Sequence, residues 1–186
     1  MKLTRNFYIR SGLVVARELI GKKLVSCSEE GITAGIIIET EAYMGAEDAA
    51  SHSYKNRRTA RTESMFSEGG HLYVYLIYGM YLCANVVANV RDIPEAVLIR
   101  ALQPTDGIEL MQNRRQKKSL KDLCSGPGKL TQALGISKKD YDLDLCDDKI
   151  FIEETNLKPT IITTKRINID YSGEAADYPW RFLMQN

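Results

Sequence analysis

The sequence predicts an α+β fold, one compact domain over residues 1–186 with a curved, mostly antiparallel β-sheet and peripheral helices. Three observations predict it. Strand-length runs of β-branched and aromatic residues follow one another through hairpin-like turns. Helical periodicity is confined to a short stretch near the start and to a region after residue 105, which suits α+β rather than alternating βαβ units. No repeat, low-complexity stretch or Pro/Gly/Ser-rich linker divides the 186 residues, a length suited to one domain with a sizeable core.

The elements are expected in this order. A helix fits Gly12 to Ile20, with Leu13, Ala16, Leu19 and Ile20 on one stripe and Gly21 as its stop. Strands from Leu24 to Cys27 and from Ile32 to Tyr43 flank a turn at Glu30-Gly31 and form a hairpin. Met44 to Ser67 is polar and irregular, with one short helix near Thr62 to Phe66; a stretch of this kind is either disordered or functional. Strands follow at Leu72–Tyr78, Tyr81–Val90 and Ala96–Leu102. Thr105 or Asp106 can cap a helix running to about Gln116, and a second helix fits Gly128 to Leu134, closed by Gly135. Late strands are expected at Ile150–Glu153 and Thr160–Asp170.

Composition excludes several classes. No apolar run approaches the roughly 20 residues that span a bilayer, so no membrane partner is expected. The opening MKLTRNFYIR has neither an apolar h-region nor a small-residue cleavage site, which makes the cytoplasm the expected compartment. Cys27, Cys83, Cys124 and Cys146 form no C-x-x-C pair, and His52 and His71 are the only histidines. A zinc site and a disulfide framework are therefore both unexpected, as is any cofactor. Net charge is +1, so any binding of nucleic acid must come from local clusters. Three clusters exist: Lys55 to Arg58 with Arg61, Arg114 to Lys118 with Lys121, and Lys165-Arg166.

Four features can carry chemistry. In the strand Ile36 to Tyr43, period-two alternation puts Glu39, Glu41 and Tyr43 on one face, about 7 Å apart in succession. A carboxylate beside an aromatic suits acid/base work on a ring-shaped substrate; an exposed strand end is the bland alternative. His71 to Tyr81 holds four of the ten tyrosines. Tyrosine in strands usually packs in the core, but Tyr78, Gly79 and Met80 fall at a hairpin tip, where residues are normally polar. An exposed apolar wedge on a turn is how proteins unstack bases. Arg100 interrupts the apolar strand Val97 to Leu102 and needs either a carboxylate such as Glu41 or open water. Finally, Cys124 to Leu130 is a Gly/Pro turn into a helix carrying Lys129, a plain helix start or an anion site; the Walker A spacing is absent.

Taken together and in this order, the residues resemble the alkyladenine (3-methyladenine) DNA glycosylase family. The resemblance rests on Glu39-Thr40-Glu41-Ala42-Tyr43, His52-Ser53, Met65-Phe66, Tyr73 to Tyr81, Asn85, Leu98 to Pro104, Cys124 to Leu134 and the tail from Asp170 to Phe182. It implies a metal-free, cofactor-free, monomeric enzyme acting on double-stranded DNA that contains a damaged purine. By resemblance Glu41 is the general base, and Arg100 and the main-chain carbonyl of Ile167 help hold its water. Tyr43 and His52 are expected to sandwich the flipped base, Tyr75 to close the pocket, and Asn85 to refuse the amino group of normal guanine. Tyr78 is expected to fill the gap in the duplex, with Met80 and Tyr81 in the minor groove and Lys129 on a phosphate. Ala60 and Asn168 depart from the family pattern, where proline and glycine are common; Asn168 bears on pocket depth.

Two rival readings are consistent with parts of this pattern. A sugar hydrolase would use Glu39 and Glu41 as a carboxylate pair, leaving the tyrosine hairpin idle. A non-catalytic nucleic-acid-binding module would use the hairpin and leave the carboxylates idle.

Overall fold

The structure, a computed structural model, describes residues 1–185. Its centre is a curved antiparallel sheet in the order β6-β3-β4-β5-β2-β1-β7, with β9 pairing β2 and β8 pairing β9. The strands are β1 (Lys23–Ser28), β2 (Gly31–Tyr43), β3 (His71–Ile77), β4 (Tyr81–Ala88), β5 (Glu95–Asp106), β6 (Leu143–Asp144), β7 (Ile150–Glu153), β8 (Ile161–Thr164) and β9 (Arg181–Met184). The helices are α1 (Arg5–Tyr8), α2 (Gly12–Leu19), α3 (Ile108–Arg115), α4 (Leu120–Leu123) and α5 (Pro127–Leu134). The α+β class expected from the pattern of runs and turns is the class observed, and no helix among the described residues is long and apolar enough to cross a membrane.

Strand alternation divides the sheet into two faces. Leu72 and Val74 of β3, Ala84 and Val86 of β4, and Val97 and Ile99 of β5 are buried in one core with Val15, Ala16 and Leu19 of α2 and Leu130 and Leu134 of α5. The opposite face carries Tyr73 and Tyr75, paired with Asn85 and Cys83 across the β3–β4 hairpin, and Leu98, paired with Asn85. This face lines a cavity.

The long β2 changes partners along its length. Its first half pairs with β1, and Glu39, Thr40 and Glu41 pair with Leu183, Phe182 and Arg181 of β9. Against β5 the register slips once between Ala34 and Gly35, leaving Thr105 unpaired, and twice more beyond Ile37. Ile37 faces Leu102 and Glu39 faces Ala101, leaving Ile38 unpaired; Thr40 then faces Ile99, leaving Arg100 unpaired. Bulges re-aim side chains, and these two put Thr40 and Ala42 into the core while Arg100 meets Glu39 and Glu41 on the other face.

Several expectations are corrected. The strand expected over Thr160–Asp170 ends at Thr164, because Arg166 turns inward to a buried partner and Asn168 takes a left-handed φ of 59°. β9 and the short elements α1, α4 and β6 carry too little periodicity to be foreseen. Thr105 and Asp106 do not cap α3; they end β5, and Gly107 precedes the helix at φ 67°, where a Cβ would lie 2.2 Å from the Ile32 carbonyl oxygen. The short helix near Thr62 is a 3-10 turn at Glu63–Phe66.

Candidate active site

One cavity of about 610 Å³ opens on the polar face of the sheet. Tyr43 from β2, Tyr75 from β3, Asn85 from β4 and Arg100 from β5 line it, so the sheet forms its floor. His52 and Ile167 come from the two loops that wall it, residues 44–67 and 165–169. Tyr78, Tyr81 and Lys129 also line it, so nine of the eleven residues singled out from the sequence meet at one place. The other two are Met80, 68% exposed on the hairpin tip, and Glu41, which lies behind the wall.

Glu41 is fully buried. Its Oε1 accepts the Ile167 N–H at 2.7 Å. Its Oε2 accepts the Tyr43 hydroxyl at 2.9 Å and lies 3.4 Å from Arg100 Nη1. A carboxylate offers about four acceptor positions, so three donors leave roughly one for a water. Burial pushes the Glu41 carboxyl above the usual range, opposed by the Arg100 charge, the Ile167 N–H and the Tyr43 hydroxyl. The three neighbours that hold Glu41 all line the cavity, which makes it a carboxylate one side chain away from whatever the cavity contains.

Glu39 is occupied differently. Its Oε1 accepts from Arg100 Nε at 2.9 Å and from Arg181 Nε at 2.7 Å. Shared by two guanidinium groups, it orients Arg100 and is not placed as a second acid. For Arg100, burial lowers the pKa, and the Glu41 and Glu39 charges outweigh burial and raise it.

The aromatic wall is tightly packed. The His52 ring stands edge-on to Tyr75 at 4.6 Å between centroids, and its Nδ1 is 2.9 Å from the Tyr73 hydroxyl. Burial, then the charges of Arg61 and Arg57, lower the His52 pKa to about 4, so the ring is neutral at physiological pH. Asn85 is buried, and its Nδ2 donates to the Tyr73 carbonyl at 3.0 Å. Burial pushes the Tyr43 and Tyr75 phenols far above their ordinary value, so both remain protonated.

At the mouth, Tyr78 is 75% exposed and holds a left-handed φ of 52°, followed by Gly79 at 71°. Successive left-handed residues make the tight turn of a hairpin, and a bulky residue at the first of them is an outlier. Lys129 donates to Ser125 Oγ at 3.0 Å, and Gly128 lies so close to Tyr81 that an added Cβ would meet the Tyr81 Cβ at 2.9 Å and its ring at 3.0–3.1 Å.

A family model described as methylpurine-DNA glycosylase matches residues 6–186. The chain belongs to the methylpurine-DNA glycosylase family. Similar proteins of Alkaliphilus oremlandii and Clostridium acetobutylicum are each 48% identical over the whole of this chain, covering 96% and 95% of their own lengths. One from Bacillus subtilis is 48% identical over 95% of this chain and 89% of its own. All three carry the provisional name 3-methyladenine DNA glycosylase. A DNA glycosylase acts on DNA, and this one is a repair enzyme of damaged DNA.

The glycosylase site contains residues that sequence reasoning missed. Arg181, the second arginine on Glu39, sits in a short strand with no distinguishing pattern. Tyr171, 74% exposed, joins Tyr78 at the cavity mouth. Arg166, which in the sequence belongs to the basic cluster Lys165-Arg166, is buried and paired with Asp48. The Arg114–Lys118 cluster is also partly internal: Arg114 binds Glu30, Ser28 and the Ala133 carbonyl, while Arg115 reaches the cavity lining. Asn168 is exposed and lines the same cavity.

Proposed function

We propose that this chain flips a damaged purine out of double-stranded DNA, as a monomer, and hydrolyses its N-glycosidic bond with Glu41 as the general base. The observation that carries this reading is the buried Glu41 carboxylate, held by Arg100, Tyr43 and Ile167 directly behind an aromatic cavity. The cavity's 610 Å³ admits a purine with its sugar.

Chemistry on a base requires taking it out of the stack, at a cost of a few kcal/mol that is least for damaged or mispaired bases. Tyr78 offsets part of that cost by occupying the vacated space; Met80 and Tyr81 lie beside it against the minor groove, and Lys129 meets a phosphate. In the cavity the base stacks between Tyr43 and His52, with Tyr75 at its side. Asn85 stands where the amino group of normal guanine has to be refused. Substrates are 3-methyladenine and 7-methylguanine, with hypoxanthine and ethenoadenine as slower ones.

An N3- or N7-alkylated purine is cationic. The neutral His52 and the protonated Tyr43 present π faces to it without adding positive charge. The cationic base is already a good leaving group and departs as a neutral molecule with the electrons of the glycosidic bond. Glu41 takes a proton from water as the water oxygen bonds C1′, and its negative charge stabilises the oxocarbenium-like transition state. The Ile167 carbonyl and Arg100 hold that water. Lys129, the lysine that lines the cavity, donates to Ser125 and serves a phosphate and not Schiff-base chemistry, so the product is an intact abasic strand.

The test uses duplex DNA containing 3-methyladenine with the parent and Glu41→Gln. The parent releases the base, and the variant binds the same duplex with release slowed by about 10²–10⁴-fold. Binding without release by both proteins, the parent included, overturns catalysis and leaves a DNA-binding module.

A further inference from the structure

The least explained group near the cavity is a fully buried ion pair. Asp48 and Arg166 each have a side chain with no solvent exposure. Arg166 Nη1 donates to Asp48 Oδ2 at 2.5 Å, and Nη2 donates to Oδ1 at 2.9 Å, a two-pronged contact. The remaining donors of those nitrogens reach the carbonyls of Ala42, at 2.9 Å, and Ala175, at 3.1 Å. Asp48 in turn accepts the N–H groups of Met44 and Ala50, each at 3.0 Å. Three separate segments are thereby joined: the end of β2, the loop that carries His52, and the loop that carries Ile167.

A second contact concerns Tyr43 itself. The Arg166 guanidinium lies 4.9 Å from the centroid of the Tyr43 ring and also 4.9 Å from that of Trp180. Arg166 does not line the cavity and Tyr43 does, so the cation backs the ring on its buried side and leaves the other side to the cavity. A buried ion pair is weak evidence for stability, since well-packed apolar residues do as well. A planar guanidinium with five fixed donors specifies geometry in a way that an apolar residue or a lysine does not.

We infer that Asp48 and Arg166 are positioning residues for base recognition: together they set the spacing between the Tyr43 wall and the His52 wall, and hence the discrimination between cationic and neutral purines. The inference rests on the reading of Tyr43 and His52 as the two walls that stack on the base. Loosening Tyr43 removes a π face from both kinds of base. The loss is larger for the cationic one, because cation–π attraction adds to ordinary stacking.

The test is single-turnover excision of 7-methylguanine and of hypoxanthine from matched duplexes, where the rate constant is independent of the active fraction and the amplitude reports that fraction. Arg166→Lys keeps the charge and loses the planar fork. Its rate constant on 7-methylguanine is expected to fall about tenfold, the scale of a desolvated cation–π contact, and the 7-methylguanine to hypoxanthine ratio to fall with it. Asp48→Asn keeps side-chain size and one acceptor oxygen, and gives the same readout on its own should Arg166→Lys not fold. Reduced amplitude and thermal midpoint with unchanged rate constants and an unchanged ratio would show a merely structural pair and overturn the inference. Tyr43→Leu serves as the reference. Full activity in that variant sinks the stacking reading itself, whereas impaired Tyr43→Leu beside unimpaired Arg166 and Asp48 variants sinks only the positioning role.

Discussion

Arg100 binds two carboxylates at once, Glu39 through Nε at 2.9 Å and Glu41 through Nη1 at 3.4 Å. Arg100 and Glu39 therefore affect Glu41 in opposite ways. The Arg100 charge lowers the Glu41 pKa, and the Glu39 charge raises it. Excision of a cationic purine needs ionised Glu41 and no acid, so its rate rises with pH through that pKa to a plateau. Arg100→Met is expected to move this limb to higher pH by about 1–3 units, the usual effect of a neighbouring guanidinium. Glu39→Gln is expected to move it to lower pH. Single-turnover pH profiles on 7-methylguanine check both; shifts of the same sign count against the arrangement.

Glu41 also carries a stability cost that can be measured. Its folded pKa is raised above the unfolded value of 4.5, mainly by burial. The folded state then holds the proton more tightly, so stability falls as pH rises from about 4.5 through the folded pKa, and the penalty is fully present above it. Glu41→Gln removes the charge. Its amide oxygen can accept from Ile167 while its NH₂ donates to a reversed Tyr43 hydroxyl. The variant is expected to melt higher than the parent at pH 8, with the gap closing toward pH 4.5. Equal midpoints across that range would mean that the buried carboxylate is not strained.

His52 has the opposite linkage. Its pKa is lowered from 6.5 to about 4, by burial first and by Arg61 and Arg57 after it. The unfolded chain binds the proton more readily, so stability is lost as pH falls from about 6.5 toward 4. His52→Gln is expected to flatten the pH dependence of the thermal midpoint in that window. No His52 limb is expected in the excision profile between pH 6 and 8, because the ring is already neutral there.

The sheet face that bears the site was legible because period-two alternation survives in Glu39, Glu41 and Tyr43 and in Tyr73 and Tyr75. The hairpin turn at Gly79 was legible for the same kind of local reason. The Asp48–Arg166 pair was not. Its partners are 118 residues apart, and a basic dipeptide such as Lys165-Arg166 has no local mark that says which member turns inward. The bulges at Ile38 and Arg100 are equally silent, since a register slip depends on the partner strand. Element ends failed where backbone conformation was set by tertiary contact, as at Asn168 and Gly107. The roles of individual residues at the cavity came from resemblance, because alternation places side chains on a face without assigning them chemistry.

Tyr78 offers a test in which stability and function separate. The ring is 75% exposed, and no Cβ added at the neighbouring Gly79 would meet an atom within 4 Å, so the tip stands in open solvent. Removing the ring therefore sacrifices little packing, and substitutions at such positions usually change stability by less than about 0.5 kcal/mol. Tyr78 also holds a φ of 52°, a conformation that costs a non-glycine residue about 1–2 kcal/mol. Tyr78→Gly relieves that strain, offset by the greater backbone freedom of glycine in the unfolded chain. A melting midpoint at or slightly above the parent's is the expected balance. Excision from a fully paired duplex is expected to fall by about tenfold or more, since the vacated stack is no longer filled and unstacking costs a few kcal/mol. A lesion placed opposite a mismatch or in a single strand needs less unstacking, so the loss there is expected to be smaller. Equal losses on paired and unpaired substrates would remove Tyr78 from base extrusion and leave it an ordinary surface contact.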